Sequence, residues 1–263
     1  MFVTDSASVG GILADTPDSV TLNAIRNATI ATSSTSTAGG ADDGGGANQS
    51  EARLADPNQD SDTSDNAETS EGSVSFAGAV VVSIFLPTTE AYIDTSSSIT
   101  SAGALNVTAS ATDSVTATAD GSNTGGGGTG VGIGVALAFT DVDTKAYLGG
   151  TGSFTASAIN VGATLAAGNT YKATAKSGAG DGNKTSVAGA LSINIVDTLT
   201  EATVVNGANI NLNNSDLKLD AESTTAVVTE ASPNDAGGMA SDMGIGASVA
   251  LSFITNTTHA GIG

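Results

Sequence analysis

The chain has 263 residues with no cysteine, no tryptophan and 3% aromatic residues, and its 7 Lys plus Arg against 27 Asp plus Glu leave a net charge of −20. This charge repels nucleic acid and anionic membrane surfaces, so neither is expected as a partner. No run of about 18 apolar residues could cross a bilayer, so no membrane insertion is expected, and the lack of cysteine excludes a disulfide framework.

Small residues dominate the composition, yet hydrophobic residues still reach 39%. That fraction is too high for a disordered tail, while a compact globule needs bulkier side chains to fill its core. The small apolar residues are therefore expected to be buried where backbones lie close together, as they do in stacked strands.

The first predicted strands are short alternations at residues 7–9 and 20–24, in which Val20, Leu22 and Ala24 share one face. The segment that follows, 38–72, is acidic, polar and nearly free of bulky apolar residues. Such a segment adds nothing to a core and predicts a mobile or ligand-stiffened insertion. Apart from it, residues 1–263 are expected to form a single repetitive β domain.

Four later segments align with one another without gaps, at 79–93, 134–148, 190–204 and 248–262. Each contains an anchor alanine, and Ala91, Ala146, Ala202 and Ala260 are separated by 55, 56 and 58 residues. Ala7 stands 84 residues before Ala91, which is one repeat enlarged by the insertion. This self-similarity predicts structural repeats of about 56 residues.

Apolar residues alternate with small or polar residues inside each anchor segment. The alternating residues are Val80, Val82 and Ile84; Val135, Leu137 and Phe139; Leu191, Ile193 and Ile195; and Val249, Leu251 and Phe253. A period of two predicts strands with one face inward, expected to be this apolar face. A threonine stands two residues before each anchor alanine, a residue type suited to a strand or to a stacked hydroxyl ladder.

Further strand signatures follow each of the first three anchors. Ile99, Phe154 and Ile210 each lie eight residues after an anchor, and alternations then begin at Leu105, Ile159 and Leu217. A third alternation is found at 115–119, 171–175 and, more weakly, 227–231. Variable Gly/Asp-rich stretches at 119–130, 176–185 and 232–243 then lead to the next anchor segment.

These features predict an all-β fold, an elongated β-solenoid or β-helix of repeats of about 56 residues with variable Gly/Asp-rich loops. A string of single sandwiches of this size would bury too little surface to be stable. Propeller blades fit the repeat length poorly and usually carry aromatic signatures.

The pattern GxGVALAF, TKAYLG and L-x-V-x-A, found here at 132–149 and at Ile159-Asn-Val161, resembles repeats of very long bacterial surface proteins. The similar families are the filamentous haemagglutinins and the leukotoxin-type filamentous adhesins. The resemblance covers nearly the whole chain apart from 38–72. It implies export, extension from the cell and a β-helical stalk, and it supplies no catalytic residue.

Acidic clusters are the candidate binding residues. Asp42, Asp43, Asp141 and Asp143 are candidate ligands for calcium, which takes six to eight oxygens, and a solvated acidic surface is the alternative. The glycine run at 125–134 is not followed by a helix-forming pattern, which a phosphate-binding loop would require. The single histidine, His259, aligns with Glu90, Lys145 and Glu201, so it occupies a variable polar column.

The leading hypothesis is a structural and adhesive extracellular module that forms a rod or filament on the bacterial surface. Its expected partners are copies of itself stacked head to tail, or adjoining repeats of a longer chain, with surface glycans as candidate ligands. No enzyme activity and no required cofactor are expected. The alternatives are a carbohydrate-active β-helix enzyme, a glycan-binding module, or an ice- or mineral-binding surface built on threonines such as Thr116 and Thr118.

Overall fold

The computed structural model describes residues 2–9, 18–36, 74–93, 96–123, 128–179, 184–212, 215–233 and 242–263. This part of the chain is all-β, as predicted, and it contains no helix that could cross a membrane. The strands are β1 Phe2–Val9, β2 Val20–Thr35, β3 Val74–Ile93, β4 Ile99–Thr100, β5 Ala104–Asn123, β6 Thr129–Leu148, β7 Ser153–Thr155, β8 Ala158–Leu165, β9 Thr170–Ala179, β10 Thr185–Val204, β11 Asn209–Asn211, β12 Leu217–Ser223, β13 Ala226–Ser232 and β14 Met243–Ile262.

The strands form three parallel sheets. The long-strand sheet has the order β1-β3-β6-β10-β14, and a small sheet has the order β11-β7-β4. The third sheet has the order β12-β8-β5-β9-β13, with β2 also paired to β5. Every pairing joins equivalent strands of different repeats, so each sheet gains strands as the repeats accumulate.

The register of the sheets reproduces the sequence repeat. Ala7, Ala91, Ala146, Ala202 and Ala260 are successive partners across the long-strand sheet. The repeat lengths and the anchor positions read from the sequence are therefore confirmed. The later signatures also pair as expected, because β4, β7 and β11 align Ile99, Phe154 and Ile210, and the third alternation aligns Val115, Tyr171 and Val227.

The size of the side chains in the core changes along the strands. At the anchor end it contains Ile, Leu, Val and Phe side chains from all three sheets, including Ile93, Leu148 and Phe154. At the other end, the long-strand sheet packs on the third sheet through a layer that is almost entirely alanine, with Val81 as the largest member. The expected burial of small apolar residues is confirmed by this layer.

The expected orientation of the bulky apolar columns is wrong. Val80, Val82 and Ile84 are 62%, 55% and 49% exposed, whereas the alternate residues Ala79 and Val81 are buried. The same inversion holds in the later repeats, where Ala136 and Ala138 are buried and Phe139 is 41% exposed. The two sheets lie too close together at this end to accommodate large side chains between them.

Glycines mark the closest approach of the two sheets. A Cβ atom on Gly134 would stand 2.1 Å from the carbonyl oxygen of Lys176, and one on Gly132 would stand 2.1 Å from that of Gly178. Only a residue without a side chain fits there. The glycine run in β6 therefore has a packing role between two strands.

Candidate functional site

The acidic candidates Asp141 and Asp143 lie on the outer face of β6. Asp141 is exposed and Asp143 is half-buried, and Asp197 pairs with Asp141 across β6 and β10. Burial, then the charges of Asp143 and Asp197, raise the pKa of Asp141, while Lys145 lowers it. The Lys145 Nζ donates to Asp143 Oδ2 at 2.6 Å, so one of the carboxylates already has a cationic partner.

The described residues contain no group of three or more His, Asp or Glu side chains arranged to hold a metal ion. Asp42 and Asp43, like the whole insertion 38–72, lie outside the described residues. Calcium binding at Asp141 and Asp143 therefore stays a prediction, in which loop carbonyls or water would supply the remaining oxygens.

A polar column and an aromatic pair continue this outer face towards the anchor end. Glu90, Lys145, Glu201 and His259 are successive partners across the sheet, as the alignment of the segments predicts. Two residues further along each strand, Tyr92 stacks on Tyr147 with ring centroids 5.0 Å apart and planes 8° apart.

A shallow depression of about 350 Å³ lies on the outer face of the third sheet. Its floor includes Gly162, which has no side chain and so leaves a gap between the Thr108 side chain and the Asp220 backbone. Asn160 Nδ2 donates to Asn106 Oδ1 at 2.8 Å along one wall. The depression therefore presents amides and hydroxyls beside an exposed Ile25 and the Lys218–Asp220 ion pair, a mixture that suits a polar ligand.

The threonine surface considered for ice or mineral binding is short. Thr118 has Ser33 and Thr174 as strand partners, but Thr116 lies between Ala31 and Lys172. The lysine interrupts the hydroxyl lattice after a single column.

A buried ion pair between Arg26 and Asp113 was not predicted from the sequence. Arg26 Nε donates to Asp113 Oδ1 at 3.0 Å and Arg26 Nη2 donates to Asp113 Oδ2 at 2.6 Å, while Nη1 donates to the Thr89 hydroxyl. The two side chains are 1% and 0% exposed. The Asn169 carboxamide oxygen accepts from the Asp113 backbone N–H.

The interior around this pair is unusually polar. The hydroxyls of Tyr171, Thr144 and Thr200 are buried and have no hydrogen-bond partner. Burial, then the charge of Asp113, raise the pKa of Tyr171, while Arg26 lowers it. A usable signal was present in the sequence, since Arg26 continues the inward face of Val20, Leu22 and Ala24.

The ion pair is enclosed in the interior, so it offers no surface to a ligand. In the part of the chain that the structure describes, the acidic group, the polar column beside it and the depression are accessible polar sites on outer sheet faces. Comparisons with protein-family models, with curated proteins and with solved structures give no match.

Proposed function

We propose that this chain is a structural and adhesive repeat module, a β-solenoid that extends from a bacterial surface as part of an extracellular rod or filament. The observation that supports the proposal is the unbroken parallel register of β6, β10 and β14 in the long-strand sheet. All twenty residues of β14 pair with β10, and all twenty residues of β10 pair with β6. Each repeat is thus a template for the next one.

The free edge of β14 offers the same template to a further unit. The Met243 N–H donates to the carbonyl of Lys184, directly before β10, and the Gly263 N–H donates to that of Val204, the last residue of β10. In a parallel strand the direction of the amides alternates, so the even-numbered residues of β14 direct their N–H and C=O groups to the other edge. No strand of the described residues pairs there, and an open edge with unpaired groups favours strand addition.

Proline at position 87 supports this assignment of amide directions. Leu86 and Pro87 pair with β1 but drop out of the pairing with β6. Pro87 is equivalent to Asn256 through Val142 and Thr198. By this equivalence, the backbone of position 87 in β3 is directed to the next strand, β6, as that of position 256 in β14 is directed to the free edge. A proline has no N–H to donate there, and the pairing of β3 with β6 is interrupted at Pro87.

The predicted partner on this edge is the first strand set of another copy, or of adjoining repeats in a longer chain. The resemblance to filamentous adhesin repeats supports the extracellular surface location and the adhesive role. The charge of −20 supports a rod that stays soluble and does not bind nucleic acid.

The test uses two added carboxylates on β14. Ala260 belongs to the inward anchor column, whose members Ala146 and Ala202 are fully buried, whereas Thr257 belongs to an outward column. Ala260 is exposed in the single chain, so Ala260→Glu leaves the subunit folded but puts an unpaired charge inside a stacked assembly. Such a charge costs several kcal/mol, which weakens end-to-end association at least about 100-fold.

The matched control is Thr257→Glu, which adds the same charge to the same strand on the solvent side. We expect long particles in electron micrographs and in light scattering for the unchanged chain and for Thr257→Glu, and short ones for Ala260→Glu. Equal particle lengths for both variants, or single particles for the unchanged chain, would contradict end-to-end stacking.

Glycan binding is the second candidate function, and the depression around Gly162 is the observation that favours it. A glycan array should show binding that is lost in Asn160→Ala and retained in Thr203→Ala, a change on the long-strand sheet. A chain that binds no glycan on the array would remove this candidate.

A further inference from the structure

A broad apolar surface covers half of the outer face of the long-strand sheet. We call it the apolar face, and it consists of the outward residues of 76–84, 131–139, 187–195 and 245–253. Twelve large side chains on it are between 37% and 62% exposed: Phe76, Val80, Val82, Ile84, Ile133, Phe139, Val187, Ile195, Ile245, Val249, Leu251 and Phe253.

The apolar face contains no Asp, Glu, Lys or Arg, although the chain has a net charge of −20. Charge begins directly beyond its edge, at Asp141 and Asp197 on β6 and β10. An apolar centre with a charged border is the arrangement found in protein interfaces. A solvated surface of a very acidic protein would be expected to scatter charges over the whole sheet.

The apolar face is large enough for a stable contact. Four strands about 4.8 Å apart and nine residues at about 3.3 Å each give roughly 20 Å by 30 Å, or about 600 Å². This is the upper limit for apolar patches on ordinary monomers. Two such faces in contact bury about 1,200 Å², which reaches the range of specific interfaces.

The sequence offers no internal segment to cover the apolar face. Residues 37–73 contain one leucine, no Val, Ile, Phe or Met, and nine Asp or Glu. The stretches 124–127 and 180–183 contain no large apolar residue, 234–241 contains only Met239, and 10–17 contains only Ile12 and Leu13. None of these segments could match a field of twelve large apolar side chains.

A second apolar face is a good match, because it has the same spacing of strands and side chains. The column of Gly78, Ile133, Gly189 and Ala247 is a groove with a single projecting residue. A Cβ on Gly189 would meet nothing within 4 Å, so the groove is open there. Two outward columns further along the strands, Val82, Leu137, Ile193 and Leu251 form a ridge of large side chains. One surface thus carries both a ridge and a groove, as a two-fold symmetric contact requires.

From these observations we infer that two copies of this chain pair side by side through their apolar faces, forming a sheet-on-sheet contact. The strands of the two copies run antiparallel across the contact, which keeps the acidic border of one copy away from that of the other. Both stacks then extend in the same direction, so the lateral contact is compatible with end-to-end growth but does not depend on it.

The test again uses matched charges on one strand. Ile193 lies in the apolar face of β10 and is half-buried, and Thr203 is a half-buried outward residue of the same strand beyond that face. A lateral dimer should be present for the unchanged chain at micromolar concentration in sedimentation equilibrium. Because Ile193→Glu buries an unpaired carboxylate in the contact, the dissociation constant should rise at least about 100-fold, and Thr203→Glu should leave it unchanged.

End-to-end association is removed from this measurement by carrying all variants in the Ala260→Glu background. Dimers that persist in that background support lateral pairing, whatever happens to filaments. A monomer at all concentrations, or an equal effect of the two added charges, overturns the inference.

A second measurement remains informative if Ile193→Glu fails to fold. The chain has no cysteine, so Val135→Cys places a single thiol in the central column of the apolar face. An antiparallel contact brings two copies of this column face to face at the spacing of stacked sheets, about 10 Å. This exceeds the Cα separation of about 4.4–6.8 Å that a disulfide requires, so a bismaleimide with a spacer of about 10 Å should give the covalent dimers. Thr203→Cys is the matched control and should stay monomeric.

A lipid surface is the competing occupant. Flotation of the unchanged chain with phosphatidylcholine vesicles, together with no cross-linking of Val135→Cys, would overturn pairing between copies. Cross-linking without flotation supports it.

Discussion

The buried ion pair gives the sharpest prediction about stability. Asp113→Ala leaves the Arg26 guanidinium in the interior with the Thr89 hydroxyl as its remaining side-chain partner. Breaking a buried pair in this way costs about 3–5 kcal/mol, because the remaining charge is neither hydrated nor paired. For a chain of this size that corresponds to a fall in melting temperature of roughly 6–20 °C.

Removing both charges should restore most of this loss. Arg26 is the strand partner of Ala111, and Ala111 is the partner of Leu165, so an apolar residue already occupies this column in other repeats. We therefore expect Arg26→Leu with Asp113→Ala to lie within about 1–2 kcal/mol of the unchanged chain, since a buried pair replaced by apolar residues is often neutral.

The assay is urea unfolding followed by circular dichroism, with Asp220→Ala as the control. The Lys218–Asp220 pair is exposed, with side chains 65% and 60% accessible, and its loss should cost less than about 1 kcal/mol. A double variant as unstable as Asp113→Ala alone would refute the argument, because the loss would then come from packing and not from an unpaired charge.

Three further predictions address other parts of the molecule. The pKa of Tyr171 is raised above its ordinary value of 10.0 in the folded chain, so the unfolded chain loses the Tyr171 phenol proton at a lower pH than the folded chain does. The free energy of unfolding is therefore at its full value below pH 10 and falls as the pH rises towards the folded pKa. In melting experiments at different pH, Tyr171→Phe should reduce this alkaline loss of stability. At pH 7 the variant should be as stable as the unchanged chain or up to about 1 kcal/mol more stable. An unchanged dependence of stability on alkaline pH would exclude Tyr171 as the cause of the loss. If calcium binds at Asp141 and Asp143, a calcium concentration 100 times the dissociation constant should stabilise the fold by about 2.7 kcal/mol. Asp141→Asn should abolish this stabilisation. Equal melting curves with calcium and with chelator would leave only a solvated acidic surface. Gly134→Ala should lower stability by roughly 1–3 kcal/mol, because its Cβ meets a carbonyl oxygen at 2.1 Å. Gly189→Ala, on the open groove, should change stability by less than about 0.5 kcal/mol. Similar melting of the two variants would contradict the close approach of the sheets.

Much of the strand arrangement could be predicted from the sequence, because a repeat restricts which residues can become partners. Once Ala91, Ala146, Ala202 and Ala260 are aligned, any in-register stack of repeats pairs them, and the structure does so. The threonines two residues earlier are placed by the same alignment.

The polar sites depended on different information. Asp141 and Asp143 were found as candidates because acidic residues stand out in a strand, and the structure places them on an outer face beside Lys145. The pairing of Arg26 with Asp113 joins residues 87 apart, on strands whose sequences show no complementary pattern. No local rule connects them, so their contact appears only when β2 is placed against β5.

The sequence by itself determined that the anchor segments are strands, how long each repeat is and which residues share a face. An alternation of period two defines two faces but does not identify the one that meets another sheet. The tertiary structure decided that question at the alanine end, where the approach of Gly134 to Lys176 leaves room for little more than alanine. The larger side chains of Val80, Leu137 and their column neighbours are therefore outside, because the separation of two sheets is a property of the assembled fold and not of either strand.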